Sequence, residues 1–368
     1  MKVALVHDYL NEFGGAERVL LALSEIYPDA PIYTAYCTKD SPAYEHFKNK
    51  KIIQSWFAYL PFSQKIISPF RFLIPLIWSS FDFSKYDVVI TSASWAVTKG
   101  IKKGDHTKEI CYLHTPPRYL YGYDTSRDWK SLWFSGLVKI YAAVVNHFMR
   151  MYDWNAAQRV DYFVANSENV GKRIDKFYRR DYEVIHPPVD TAKFGNPKIK
   201  PESGEYYLTG GRFTAAKNFD LIIQAFNKSG KKLKIYGTGI QGDYLKSLAT
   251  KNIEFVGRVS DEELVALYKG AKAFIAAQKD EDFGITIVEA AAAGCPSIAY
   301  QAEGYLETIK ENKTGVFFDK LTTDSLNKAI NISEKIKWNR KEIQKHAEKF
   351  SEERFKTEIK EFAIDRVK

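Results

Sequence analysis

Cysteine is scarce in this chain of 368 residues, which has only Cys37, Cys111 and Cys295. An odd number of widely spaced cysteines argues against a disulfide framework and against a cysteine-based metal cluster, and it fits a reducing compartment. The chain opens on a strand-like segment, residues 1–6, instead of a charged head followed by an apolar signal core. We therefore expect a cytoplasmic protein without a secretion signal or a bound metal.

Acidic residues are in the minority: 54 lysines and arginines against 45 aspartates and glutamates give a net charge of +9. Much of this excess lies between residues 48 and 103, where nine basic side chains face two acidic ones. No recognised DNA- or RNA-binding motif accompanies the charge, so we do not expect a nucleic-acid partner. Chain length and composition predict two globular domains with substantial cores.

Long apolar runs are absent from the basic region, although two of its segments, 56–62 and 70–78, are dense in aromatic and aliphatic residues. Lys65, Arg71 and several prolines interrupt them, and neither segment is long enough to span a bilayer. Mixed aromatic and basic residues are typical of a membrane interface that contains anionic lipid. The same residues also suit an internal core or a partner groove. The sequence leaves open peripheral contact with the inner face of the cytoplasmic membrane.

Strands and helices alternate along both halves of the chain, which predicts an α/β protein with two doubly wound, Rossmann-like domains. The boundaries that we predict are residues 1–188 for the first domain and 189–349 for the second. A polar stretch from residue 190 to Gly204 reads as a linker. Ser260 to Glu263 form a capping box at a helix start. The predicted strands are 3–6, 87–91, 109–113, 162–165, 206–209, 233–236, 254–256, 273–277 and 297–299.

Two carboxylates flank a predicted loop-to-helix junction in the second half. A short apolar strand ends near Ala277, and the helix predicted over 285–293 ends at Gly294. Glu281 thus precedes the helix and Glu289 lies inside it. The amides at the helix start attract oxygen-rich groups, so the segment suits a sugar nucleotide.

Glycine turns follow three other predicted strands. Gly210 and Gly211 precede Arg212 and Lys217, two cations on one loop that can neutralise a diphosphate. Gly237 follows another strand and allows close backbone approach, although a tight turn explains it equally well. In the first domain, Gly14 and Gly15 open a helix, where their amides can approach a phosphate or sugar.

These motifs, in this order, resemble the retaining glycosyltransferases of family 4, which have the GT-B fold. The resemblance covers nearly the entire chain, and the E-x7-E spacing of Glu281 and Glu289 matches fully. It implies two Rossmann-like domains that face a central cleft. It also implies that the C-terminal helix, residues 350–368, packs back on the first domain.

The resemblance also implies roles for the acidic motif. Glu281 contacts the transferred sugar and Glu289 holds the ribose. The amides of Phe283, Gly284 and Ile285 bind sugar hydroxyls.

For the rest of the donor, the resemblance assigns Arg212 and Lys217, beside Gly211, to the diphosphate. Cations fixed there stabilise the leaving diphosphate in the transition state, and no metal is needed. His114 matches the family histidine beside the transferred sugar. The remaining donor contacts implied by the match are the glycine pair Gly14 and Gly15, the turn at Gly237 and the nucleobase-bordering loop at Val256.

Several loops look like the branch of the family that builds lipopolysaccharide, capsule and exopolysaccharide from GDP-mannose. We therefore predict a hexosyltransferase that moves mannose from GDP-mannose to a hydroxyl of a lipid-linked glycan, without a cofactor. The sequence leaves open a UDP-sugar donor, the acceptor, the linkage and the oligomeric state.

A catalytically silent scaffold subunit, or an epimerase or phosphorylase on the same fold, would be a different class of protein. A silent subunit should have lost one of Glu281, Glu289, Arg212 or Lys217, and none is lost. A phosphorylase should carry a lysine motif for pyridoxal phosphate, and none is recognised. A nicotinamide enzyme is disfavoured because no G-x-G-x-x-G opens the first helix.

Overall fold

The computed structural model describes residues 1–123 and 135–367, with the helical residue 135 described by its backbone alone. The described chain divides into two compact units. The first comprises residues 1–123, 135–188 and 352–367, and the second comprises residues 189–351.

Seven parallel strands form the sheet of the first unit, in the order β3-β2-β1-β4-β5-β6-β7. The central strands β1, β4 and β5 are buried along nearly their whole lengths, as expected for a parallel sheet covered on both faces. The strands are β1 Val3–His7, β2 Ile32–Thr34, β3 Ile52–Gln54, β4 Val88–Ala93, β5 Lys108–Leu113, β6 Tyr162–Ala165 and β7 Glu183–Val184.

The helices of the first unit connect these strands. The longest, α6, has 25 residues and was not predicted. Short 3₁₀ turns at Trp56–Tyr59 and Arg71–Leu73 accompany the helices of the aromatic region. The helices are α1 Gly15–Ile26, α2 Pro42–Phe47, α3 Ser63–Ile66, α4 Ile74–Ser79, α5 Arg118–Tyr121, α6 Ser135–Arg159, α7 Glu168–Tyr178 and the C-terminal helix α16 Glu352–Val367.

The C-terminal helix α16 packs on α1 within the first unit. Its Phe355 is fully buried and meets the Tyr112 ring edge-on at 5.7 Å. Lys356 pairs with Glu25 of α1 at 2.6 Å. The helix begins at Glu352, and residue 368 of the predicted C-terminal segment lies outside the described residues.

Six parallel strands form the sheet of the second unit, in the order β10-β9-β8-β11-β12-β13. The strands are β8 Tyr207–Gly210, β9 Leu233–Tyr236, β10 Ile253–Gly257, β11 Phe274–Ala276, β12 Ser297–Tyr300 and β13 Gly315–Phe318. The helices are α8 Thr191–Phe194, α9 Phe219–Ser229, α10 Gly242–Leu248, α11 Asp261–Gly270, α12 Ile285–Ala292, α13 Glu303–Thr308, α14 Thr323–Ser333 and α15 Arg340–Ala347.

All nine predicted strands exist, and their ends agree with the prediction to within two residues. The capping box at Ser260 is confirmed, because its hydroxyl accepts from the Glu263 amide. The predicted linker is wrong in its first part, where α8 buries Phe194 and packs on α12. Strands β2, β3, β7 and β13, which have two to four residues each, were not predicted.

The aromatic region has two environments. Phe57, Ile74, Ile77 and Trp78 are among the side chains buried in the first unit's core, whereas several other apolar side chains between residues 56 and 76 face solvent. No helix among the described residues is long and apolar enough to cross a membrane.

Candidate functional site

The predicted donor-binding residues of the second unit lie at or beyond the carboxyl ends of its parallel strands. Because all six strands are parallel, the loops that follow β8, β9, β10 and β11 emerge at the same, carboxyl edge. Ligands of open α/β sheets usually bind at this edge. The structure thereby brings together the loops of Gly211, Gly237 and Glu281, which are far apart in the sequence. Val256, predicted in a loop, lies instead near the end of strand β10.

Glu281 lies in the loop between β11 and α12 and is half-buried. The Tyr305 hydroxyl on α13 donates to Glu281 Oε2 at 3.3 Å. Backbone packing also fixes this loop, since a Cβ on Gly304 of α13 would lie 2.7 Å from the carbonyl oxygen of Glu281. Nothing in the acidic motif indicated Tyr305, because α13 follows a different strand.

Gly284 caps the start of α12 in the left-handed conformation, with φ +91°. A Cβ at this position would lie 2.8 Å from Cδ1 of the Tyr305 ring. The adjacent Phe283 is buried against Phe350, with ring centroids 5.4 Å apart. Glycine is therefore needed at this position for both backbone conformation and space.

Glu289 lies inside α12 and is buried, in contrast to Glu281. It lies near Tyr268, whose hydroxyl is 2.8 Å from that of Tyr236. Burial raises the pKa of Tyr268 well above its ordinary value, and Tyr236 and Glu289 raise it further. A buried carboxylate at this place suits a ribose hydroxyl, which can donate to it.

The loop after β8 places Lys217 over the backbone of Gly211. A Cβ on Gly211, which has φ +119°, would lie 3.2 Å from Lys217 Nζ. Gly237 contacts the same loop so closely that a Cβ there would overlap the Gly211 carbonyl oxygen. Arg212, one residue on, is exposed. The two predicted cations are thus carried by a loop that glycine–glycine packing holds in place.

A small cavity beside this loop is lined by Lys217, Gln278, Thr286 and Tyr305 among others. It connects the loop of the predicted diphosphate cations with Tyr305, the partner of Glu281. Within the second unit, both ends of the predicted donor site therefore adjoin one cavity.

In the first unit, His114 directly follows the carboxyl end of β5 and is largely buried. Its Nε2 lies 2.8 Å from Ser92 Oγ, at the end of β4. Ser92 Oγ is in turn 3.0 Å from Nδ1 of His7, at the end of β1. Nothing in the sequence indicated Ser92, because only the sheet order brings these three strand ends together.

The glycine turn before α1 is engaged within the first unit. The Gly14 amide donates to Glu17 Oε2 at 2.8 Å, so its predicted contact with a phosphate competes with this hydrogen bond. Glu17 Oε1 also lies 3.5 Å from His7 Nε2. Burial raises the pKa of Glu17, but the hydrogen bonds from His7 and Gly14 outweigh it and hold the pKa below its ordinary value.

Family comparisons account for nearly the whole chain. The model described as "Glycosyltransferase Family 4" matches residues 13–193, and "Glycosyl transferases group 1" matches residues 190–352. The chain belongs to glycosyltransferase family 4. The resemblance of its motifs to that family is thereby confirmed.

Two curated family 4 relatives are mannosyltransferases by name. The α-1,3/1,6-mannosyltransferase ALG2 of Dictyostelium discoideum is 24% identical, and the match covers 90% of each chain. The GDP-mannose-dependent phosphatidylinositol monomannoside mannosyltransferase of Mycobacterium tuberculosis is 30% identical over 40% of this chain and 45% of its own length. The first three curated relatives are matched over only 32%, 37% and 45% of their own lengths.

Among solved structures, the Anabaena protein HepE in complex with UDP and glucose matches with a TM-score of 0.69. The match covers 99% of this chain and all of that chain, at 16% identity. It confirms the predicted fold class, the GT-B architecture of family 4.

Proposed function

We propose that this protein is a retaining glycosyltransferase that moves mannose from GDP-mannose to a hydroxyl of a lipid-linked glycan of the cell surface. The observation that carries the proposal is the gathering of three features at the carboxyl edge of the second sheet. They are the acidic motif from Glu281 to Glu289, the cations Arg212 and Lys217, and the turn at Gly237. Family membership supports the same chemistry.

In this proposal, the bond between the sugar and the diphosphate breaks while Arg212 and Lys217 neutralise the charge that builds on the leaving group. The leaving phosphate takes the proton of the acceptor hydroxyl, which attacks the same face of the sugar. Glu281 and His114 position the sugar. The β11–α12 loop is suited to this task because Tyr305 and Gly304 hold its backbone and carboxylate.

The choice of donor rests on the relatives. Mannosyl transfer is named for ALG2, and GDP-mannose for the mycobacterial relative. A UDP-sugar is the second candidate, because HepE was solved with UDP and glucose.

The experiment that tests the proposal is a thermal-shift panel of GDP, UDP, ADP, NAD and their sugar conjugates, without metal. A ligand at about a hundred times its Kd adds roughly 2.7 kcal/mol of stability. We expect stabilisation by GDP and GDP-mannose. Preference for UDP would replace the donor, and no shift with any nucleotide would favour a silent scaffold.

We further propose that the first unit binds the surface of an anionic membrane through one apolar surface. Tyr59 is 82% exposed, Phe62 73% and Leu137 71%. The 3₁₀ turn that begins at Arg71 packs against α6, where Arg71 Nε donates a 2.8 Å hydrogen bond to Asn146 Oδ1. The apolar surface comprises Trp56, Tyr59, Leu60, Phe62, Phe70, Phe72, Leu76, Leu137, Ile140, Val144, Phe148 and Met151.

The charges around the apolar surface favour a lipid bilayer of negative charge. Lys65, Lys139 and Arg150 are exposed, and residues 56–78 contain no acidic side chain. Asp153 is the only acidic residue of α6, and it is buried in an ion pair with Lys99. Arg71, by contrast, is buried and does not face the surface. Basic side chains beside exposed aromatic residues are typical of interfacial binding.

A further inference from the structure

A buried chain of hydrogen-bonding side chains connects His114 with a carboxylate in the first unit. Glu17 Oε1 lies 3.5 Å from His7 Nε2, His7 Nδ1 lies 3.0 Å from Ser92 Oγ, and Ser92 Oγ lies 2.8 Å from His114 Nε2. His7 is 2% exposed and Ser92 is fully buried. These hydrogen bonds end at His114, the residue to which the proposed function assigns a contact with the sugar.

For a neutral His7, the donors and acceptors along these hydrogen bonds determine where the protons lie. A carboxylate only accepts, so His7 donates from Nε2 to Glu17, and in the neutral ring Nδ1 then accepts from the Ser92 hydroxyl. That hydroxyl has a single proton, so its oxygen accepts from His114 Nε2. Each polar atom between Glu17 Oε1 and His114 Nε2 has a partner in this arrangement, as buried polar groups require.

We propose that Glu17, His7 and Ser92 are positioning residues that hold a proton on Nε2 of His114 and make its Nδ1 the acceptor nitrogen. This inference rests on the proposed function for its catalytic meaning. A neutral imidazole whose electron density is raised by a distal carboxylate accepts a hydrogen bond from a sugar hydroxyl. It also stabilises positive charge that develops on the sugar ring. The other tautomer would present a donor and could do neither.

The tautomer is measured directly by long-range ¹H–¹⁵N correlation spectra of the histidine rings in the full-length protein, with His114 assigned from His114→Gln. We expect protonated Nε2 and unprotonated Nδ1. In Ser92→Ala we expect a mixture of tautomers, and in Ser92→Thr, which keeps a hydroxyl, the original form. A wild-type proton on Nδ1, or an unchanged tautomer in Ser92→Ala, overturns the proposal.

Turnover separates positioning from a merely structural role. Glu17→Gln keeps an acceptor for the Gly14 amide but removes the charge, so we expect kcat to fall about tenfold or more with the donor KM unchanged. Ser24→Ala removes another buried hydroxyl of the first unit, one that takes no part in the hydrogen bonds between Glu17 and His114, and it should keep wild-type kcat. Unchanged kcat in Glu17→Gln overturns the proposal.

The NMR spectra test the positioning of His114, and the nucleotide panel tests the proposed function, so the two proposals can be contradicted separately. If no nucleotide binds and no sugar is transferred, the proposed function fails, while the tautomer of His114 still decides whether the chain acts as inferred.

Discussion

Single residues of the donor site differ in how the fold holds them. Glu281 is half-buried and is contacted by the Tyr305 hydroxyl, Glu289 is buried, and Arg212 is exposed. A carboxylate held before a ligand arrives can act on the transition state without reorganisation. An exposed arginine keeps its guanidinium in water, where its interaction with another charge is weaker than that of a buried group.

Replacing Glu281 tests the sugar end of the site. We expect Glu281→Ala to lower kcat by a hundredfold or more, on the order of the loss of a preorganised electrostatic group, while nucleotide affinity stays nearly unchanged. Steady-state kinetics and calorimetric titration with GDP measure the two quantities. Glu262→Ala, which removes an exposed acid of α11 in the same unit, is the control. Normal turnover of Glu281→Ala would exclude the assigned role.

Replacing Arg212 tests the diphosphate end. Because hydrogen bonds to charged groups contribute about 1.5–3 kcal/mol, we expect Arg212→Ala to raise the Kd for GDP roughly ten- to a hundredfold and to lower kcat as well. The matched control is Lys228→Ala, which removes a cation whose 2.6 Å pair with Asp324 is exposed. Equal affinities of the two variants would contradict a phosphate role for Arg212.

At the scale of elements, strand order and helix starts decide which residues meet. Helix α12 begins where a left-handed glycine turns the chain, and α13 packs on the preceding loop through Gly304. The two helices follow neighbouring strands, β11 and β12, whose pairing sets their spacing. The acidic motif is therefore shaped by an element that lies outside the motif itself.

The start of α12 should tolerate no side chain larger than hydrogen at Gly284. Gly284→Ala combines an unfavourable φ of +91° with overlap of the Tyr305 ring, whereas Gly230→Ala has φ +68° and no atom within 4 Å of the added Cβ. We expect Gly284→Ala to lose about 1–3 kcal/mol more free energy of unfolding than Gly230→Ala, the cost of overpacking. Urea denaturation of both variants measures the difference. Equal losses would mean that the ring moves aside freely.

At the scale of the whole molecule, exposed apolar area is concentrated in the first unit. The apolar surface includes parts of the aromatic region and one face of α6, and its exposed charges are basic. Large contiguous apolar patches on a protein surface usually mark interaction sites, whereas apolar residues that are exposed singly do not. The proposed lipid-linked acceptor would lie in a bilayer, so binding of this surface to the membrane would bring the protein to its acceptor.

Membrane binding is tested by cosedimentation with vesicles of phosphatidylcholine alone or with phosphatidylglycerol. We expect binding to the anionic vesicles that weakens with salt. Phe62→Ser with Phe72→Ser should lower the affinity at least about tenfold, since each buried aromatic side chain contributes about 1.5–3 kcal/mol. The matched control, Ile240→Ser with Tyr244→Ser, removes exposed apolar side chains of the second unit. Equal loss in both double variants would contradict the assigned surface.

The sequence by itself determined the fold class and most strands, because buried parallel strands are short apolar runs that stand out between polar helices. It also determined the acidic motif and the glycine turns, whose residues are close in the chain. It missed strands β2, β3, β7 and β13 and the helix α6, whose apolar residues line an exposed face in addition to the buried one.

Only the tertiary structure decided which distant side chains meet. Ser92 joins His7 to His114 because β4 lies between β1 and β5 in the sheet, and Tyr305 reaches Glu281 because α13 packs on its loop. The same holds for the aromatic region, whose composition suited both a core and a membrane surface. Packing buried Trp78 and left Phe62 in solvent, and no local pattern distinguishes the two, since burial depends on contacts between distant segments.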